Sequence, residues 1–250
     1  MKKKTIKHNK DRQAQFERIA ALKQAYQATQ NPIISMDTKK KEPIGLLFRP
    51  GTVYSQGAIH AYDHDFWSLR EGVAIPHGIY DLRKNTGYIS IGTSKDTGAF
   101  ACDSLRNWWY HQGQYDYPHA TSILILCDSG GSNDARHYLF KADLQKLADE
   151  LDIEIRIAHY PPYCSKYNPI EHRLFPHVTR ACQGVLFRSH QDVLSYMAKT
   201  QTRTGLSVTV ELIDKVYETG RQVDPDFKLN NPIHFDDTLS KWNYRAVPSA

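Results

Sequence analysis

Two apolar runs that each stop at an aspartate constrain this chain most. Ile33-Ile34-Ser35-Met36 ends at Asp37, and Ser122-Ile123-Leu124-Ile125-Leu126-Cys127 ends at Asp128. Short Ile- and Leu-rich runs bounded by polar turns read as strands, and an acid at the polar end of such a strand can project above the sheet. A third acid, Glu171, follows the Pro-rich stretch Pro161-Pro162-Tyr163-Cys164-Ser165-Lys166-Tyr167-Asn168-Pro169-Ile170 and stands in the first turn of a helix. Three carboxylates on three separate elements can converge on hard divalent cations, which want oxygen ligands and keep positions open for water and phosphate. Each acid also has an ordinary alternative: a strand-end Asp satisfying turn amides, or a first-turn Glu facing the helix dipole. Gly130-Gly131 tilt Asp128 toward the open site, because they leave space beside its carboxylate.

The pattern around these acids alternates strands with helices. Residues 11–30 carry Phe16, Ile19, Leu22 and their neighbours at amphipathic spacing. Residues 72–82 and 87–92 read as a hairpin turning at Lys84-Asn85-Thr86-Gly87. A helix is expected over 96–113, capped by Asp96 or Thr97, with Trp108 and Trp109 in the core. Another opens at Asn133 or Asp134 and runs through Leu151, and Ile153–Ile157 gives a strand. A helix is expected from Glu171 through Leu174 to Cys182, a further one over 193–200 and a strand over 207–213, with an irregular tail from Asp224. Residues 52–70 lack periodicity and read as a long loop in which Asp63-His64-Asp65 can stay near the site. Strands separated by helices require right-handed crossovers, so the fold class is α/β, a mixed sheet flanked by helices.

Bulk properties narrow the function classes. Lys and Arg number 32 against 27 Asp and Glu, for a net charge of +5, an excess that permits phosphate binding without requiring it. The excess is uneven, with Lys2-Lys3-Lys4 at the start and Lys39-Lys40-Lys41 beside Asp37; either patch can be a solvated face or a nucleic-acid contact. Four scattered cysteines without a Cys-x-x-Cys pair argue against a zinc ribbon and a secreted disulfide framework. Of the 12 histidines, His64, His159, His172 and His177 form no His-x-x-x-His pair with one another. No apolar run reaches membrane-spanning length and no signal segment is visible, so the expectation is a soluble cytoplasmic protein without a membrane partner.

With its motifs in hand, the chain resembles the DDE transposases of bacterial insertion sequences, and within them the ISAzo13-like group, the Rhodopirellula-type transposase DDE domain. The resemblance rests on Ile34-Ser35-Met36-Asp37-Thr38-Lys39-Lys40-Lys41-Glu42, Asp128-Ser129-Gly130-Gly131-Ser132-Asn133 and Asn168-Pro169-Ile170-Glu171-His172-Arg173-Leu174-Phe175. His64-Asp65-Phe66, Trp108-Trp109 and Thr202-Arg203-Thr204-Gly205-Leu206 add to it. It implies a ribonuclease H-like fold over 31–205, preceded by a basic segment and leader helix over 1–30 and followed by an extension over 206–250 packed on the domain. It also implies that Asp37, Asp128 and Glu171 are catalytic and hold two Mg²⁺ or Mn²⁺ ions for DNA cleavage and strand transfer. In that setting Lys39, Lys40, Lys41 and Arg173 are expected on DNA, and Asn168 and His172 behind the acids. The partners implied are transposon ends and target DNA, with a homodimer in the DNA complex and residence on the nucleoid. Full-length relatives carry a helix-turn-helix region ahead of this domain, so the chain is expected to be N-terminally truncated. A metal-dependent nuclease of the same fold, or an inactive DNA-binding remnant, remains open as an alternative.

Overall fold

The computed structural model describes residues 10–52, 54–63, 65–128, 130 and 138–249. The chain enters through helix α1 (Arg12–Gln27), strands β1 (Ile33–Thr38) and β2 (Glu42–Ile44), and the hairpin β3 (Gly72–Asp81) and β4 (Thr86–Gly92). Helix α2 (Gly98–Trp108) runs through a π-helical turn into the short α3 (Gln114–Asp116), followed by β5 (Ser122–Cys127), α4 (Tyr138–Leu151) and β6 (Glu154–His159). Then come α5 (Ile170–Arg173), α6 (Phe175–Ala181), α7 (His190–Met197), β7 (Ser207–Ile213), α8 (Pro225–Asn230), β8 (His234–Phe235) and β9 (Asn243–Ala246).

One sheet runs in the order β7-β4-β3-β1-β5-β6-β9-β8, with β2 beside β3. β1 is its pivot, antiparallel to β3 and parallel to β5. The hairpin closes because Asp81 Oδ1 accepts from the Arg83 and Lys84 amides at 2.8 and 3.0 Å, and Asn85 takes the left-handed backbone (φ 56) that Asn tolerates. β5 is buried at all six residues. Helices cover both of its faces, so its sequence is continuously apolar instead of alternating.

On one face α2 and α4 pack Leu105, Trp108, Phe140, Leu144 and Leu147 against Ile34, Met36, Ile123, Ile125 and Ile155. Thr97, not Asp96, caps α2, its hydroxyl accepting from the Phe100 amide at 3.2 Å. On the other face α1 lays Ile19, Leu22 and Tyr26 on Ile33, Leu124 and Leu126, while Ile170, Leu174, Phe175 and Val178 cover Tyr80, Ile89 and Ile91.

Two expectations need revision. The helix after Glu171 breaks at Leu174 (φ −118, ψ −60) into α5 and α6, because Pro176 has no amide to continue the ladder. The tail from Asp224 is not wholly irregular: it holds α8, and β9 pairs antiparallel with β6. Its Asn-Tyr-Arg-Ala sequence alternates polar with apolar and buries Tyr244 and Ala246 in the core, but four residues are too short a run to stand out as a strand. The strand expected over 207–213 is β7, which lies beside β4, and β9 lies beside β6. Among the described residues of the 52–70 stretch, Trp67–Leu69 form a 3-10 turn and Tyr62 bridges to Leu47. His64 and the expected helix start at Asn133 or Asp134 lie outside the described residues.

Candidate active site

Strand register brings the two aspartates together. Met36 pairs with Cys127 across the parallel β1/β5 ladder. Alternation along each strand then sends Asp37 and Asp128 to the opposite face from Met36 and Cys127, side by side at the same end of neighbouring strands.

Glu171 reaches that point through Ser35, two residues before Asp37 on the same face. The Ser35 hydroxyl donates to Asn168 Oδ1 and accepts from the Ile170 amide at 3.0 Å, and Asn168 Nδ2 donates to the Met36 carbonyl at 3.4 Å. Ser35 and Asn168 are both 0 % exposed. In that setting the bonds face no competition from water and fix the start of α5 over the end of β1. Gly78, the β3 partner of Asp37, leaves the space that α5 and α6 occupy: a Cβ there would meet Phe175 Cε1 at 2.6 Å and Ile170 Cδ1 at 2.9 Å.

The acids repel one another in a half-buried setting. Burial first, then the charge of Asp128 and more weakly that of Glu171, push the Asp37 carboxyl from 3.8 up to about 7, against a 2.8 Å hydrogen bond from the Thr38 amide. Burial and Glu171 push Asp128 up to about 6. Among the described residues Asp128 Oδ1 is buried without a hydrogen-bond partner, and the Glu171 carboxyl lies within hydrogen-bonding reach of Asp37. No three Asp, Glu, His or Cys side chains among the described residues already form a ligand set. A hard cation fits this donor set, since it would supply the positive charge the oxygens lack and a partner for the orphaned Oδ1.

A cavity of about 310 Å³ opens over the acids, walled by Thr38, Lys39, Lys40, Lys41, Asp96 and Gly130 as well as Asp37 and Asp128. Asp96 enters unannounced by the sequence, where it reads as a helix cap. With Thr97 holding the cap, Asp96 is free to face the cavity, accepting from the Thr38 hydroxyl at 3.3 Å. Of the three lysines, Lys40 and Lys41 are exposed, whereas Lys39 is 9 % exposed and ion-paired with Glu42, which also holds Arg49. The Lys39 ammonium is neutralised by Glu42, and the pair braces the turn between β1 and β2. Burial raises the Glu42 carboxyl, but the Lys39 and Arg49 cations outweigh it and hold it below 4.5, so its stabilising contribution is present above pH 4.5 and lost on acidification below that. Glu42→Ala strands two facing cations and is expected to cost about 3–5 kcal/mol in urea unfolding at pH 7; a cost under about 1 kcal/mol contradicts the bracing role.

Arg173 is exposed near Glu171. His172 is also exposed, its ring Nε2 donating to the Lys166 carbonyl, which ties α5 to the loop ahead of it.

The sequence matches the model of the Rhodopirellula transposase DDE domain over residues 1–248. Among curated proteins nothing matches. Among solved structures the chain is similar to the Mos1 transposase paired-end complex with left transposon end, at 15% identity and TM-score 0.51, over 79% of this chain and 56% of that one. It is similar also to the mariner Mos1 paired end complex with Mg, at 14% and 0.51 over 77% and 55%, and to a pre-cleavage Mos1 transpososome, at 13% and 0.50 over 79% and 57%. The chain thus spans little more than half the length of those proteins, and at such identities the likeness speaks to the fold, a ribonuclease H-like mixed sheet flanked by helices. A family model matched over nearly all of the sequence decides the rest: the chain belongs to the Rhodopirellula transposase DDE domain family.

Proposed function

We propose that this chain is the catalytic part of a DDE transposase, cutting DNA at transposon ends and joining them to target DNA, with Asp37, Asp128 and Glu171 holding two Mg²⁺ or Mn²⁺ ions. The observation that carries the reading is that carboxylates from β1, β5 and α5 meet where burial first, then Asp128 and Glu171, push Asp37 up to about 7. When bound, such a pair of ions supplies an activated oxygen nucleophile and charge for the leaving oxygen of an in-line displacement. Lys40 and Lys41, exposed at the cavity rim, and Arg173 hold the DNA backbone, contacts that position without reading sequence. Asn168 keeps Glu171 in place from behind, and His172 steadies the loop. Two ends must be joined, so the working form is a homodimer on DNA, and DNA places the protein on the nucleoid. Among the described residues no helix is long and apolar enough to cross a membrane.

The test uses a labelled duplex carrying the ends of the chain's own element, incubated with Mg²⁺ or Mn²⁺, and a second duplex already cut at the 3′ end. Wild type is expected to cleave the first and join the second to target DNA, and Asp128→Ala to lose at least about 10³-fold of both, the scale of losing a metal ligand at the reacting centre. Equal rates in the two proteins would sink the assignment; cleavage without joining would identify a nuclease.

A further inference from the structure

Behind Asp128, on the side away from the cavity, stands a buried chain of polar groups that none of the roles above uses. His159 ends β6 opposite Cys127 in the parallel β5/β6 ladder and is 1 % exposed. Its Nδ1 lies 2.9 Å from the Asp128 carbonyl oxygen and 3.4 Å from Cys127 Sγ, and its Nε2 lies 3.1 Å from the Tyr244 hydroxyl. A carbonyl can only accept, so Nδ1 carries the proton and Nε2 is left to accept from the Tyr244 O–H. Tyr244 is fully buried on β9, whose pairing with β6 and the 3.0 Å bond from the His159 amide to the Trp242 carbonyl fix it in register. The Lys141 ammonium of α4 sits 4.8 Å from the Tyr244 ring centroid.

We propose that His159 and Tyr244 are positioning residues for the metal site: the Tyr244 hydroxyl sets the His159 tautomer, and His159 clamps the Asp128 peptide so that its carboxylate is aimed at the cavity. Asp128 needs such a clamp. It lies one residue past the last ladder pair of β5, where among the described residues no backbone amide is bonded to its carbonyl, and Gly130 follows two residues on. The clamp ties the acid to the C-terminal strand, which gives residues 243–246 a part in the chemistry that their distance in sequence hides. Groups that orient a metal ligand from behind affect metal affinity about 10–100-fold.

The inference rests on the proposed metal role of Asp128, and the experiment separates the two. Mn²⁺ binding is measured on the full chain without DNA, by the paramagnetic resonance of free Mn²⁺, alongside thermal unfolding without metal. Tyr244→Phe deletes only the hydroxyl and is expected to weaken Mn²⁺ binding about 3–10-fold with little change in metal-free unfolding temperature. His159→Phe loses about 10–100-fold. His159→Asn, whose amide N–H can take the place of Nδ1–H, recovers most of the wild-type affinity. A residue that merely fills the core would give the reverse ranking, with Tyr244→Phe silent and His159→Asn no better than His159→Phe, and that result overturns the proposal. Should His159→Phe fail to fold, the Tyr244→Phe and His159→Asn comparison decides alone. Failure of wild type to bind Mn²⁺, or wild-type binding by Asp128→Ala, overturns the metal site and this clamp with it; normal loss in Asp128→Ala with no change in the other variants overturns the clamp alone.

Discussion

Asp37→Asn is expected to remove metal-dependent DNA cleavage by at least about 10³-fold and, in the same protein, to raise metal-free stability at pH 8 by about 2 kcal/mol, which for a chain of this size is about 4–8 °C in unfolding temperature. The two effects have one cause. Asp37 is driven up from 3.8 to about 7 by burial, Asp128 and Glu171, so the folded protein holds the Asp37 proton more tightly than the unfolded chain does. The stability this gives is complete below about pH 4 and is lost as pH rises through about 7. At pH 8 wild type therefore carries the full cost of an ionised acid facing two others. Asn is nearly isosteric, uncharged, and offers an amide to the remaining carboxylates. Thermal unfolding of both proteins from pH 4 to pH 8 is the measurement: the curves should converge near pH 4 and separate as pH rises. Added Mn²⁺ should close the gap at pH 8 by stabilising wild type alone. A variant that is less stable than wild type at pH 8 would mean that Asp37 is an ordinary turn acid satisfying the Thr38 amide.

How much of this could be read from the sequence divides along a physical line. The two aspartates stood out because an apolar run stops at each and Glu171 because a Pro-rich stretch leads into it, and the mixed sheet was visible because β5 is continuously apolar and Asn85 marks the hairpin turn. Partnerships were invisible. Lys39, Lys40 and Lys41 are equivalent as letters; Glu42 and Arg49 single out Lys39 only once β2 and the following segment fold back. Asp96 and Thr97 are both good caps, and which one takes the helix decides which one faces the cavity. Ser35 sits in an apolar run and reads as a mild defect in a strand, yet it is the point to which Asn168 and the start of α5 are tied. His159 and Tyr244 are 85 residues apart in sequence, joined only through the pairing of β6 with β9. The break at Leu174 had a local signal in Pro176, outweighed by the helical spacing on either side.

Gly78→Ala tests whether the third acid depends on close contact between helix and sheet. Gly78 lies opposite Asp37 in the β1/β3 ladder, and a methyl there would press on Phe175 at 2.6 Å and Ile170 at 2.9 Å. Its backbone is not in the left-handed region, so the substitution introduces no strain of its own and acts only by pushing α5 and α6 outward. Overpacking of this size is expected to cost about 1–3 kcal/mol. A displacement near 1 Å is worth about 10²-fold in rate when it moves a reacting group, and here it moves Glu171 away from Asp37. The expected result is a protein that is folded, destabilised in urea by that amount, and slower in cleavage by about 10–100-fold. Gly57→Ala, where nothing lies within 4 Å of an added methyl, should change neither quantity. Phe175→Leu removes the ring that the methyl meets. By itself it should be destabilising, since Phe175 packs in the core beside Ile170 and Leu174. Combined with Gly78→Ala it should return part of both stability and rate, so that the double variant is better than the two single effects predict. Additive losses would place the defect elsewhere than in the contact between β3 and the helix that carries Glu171.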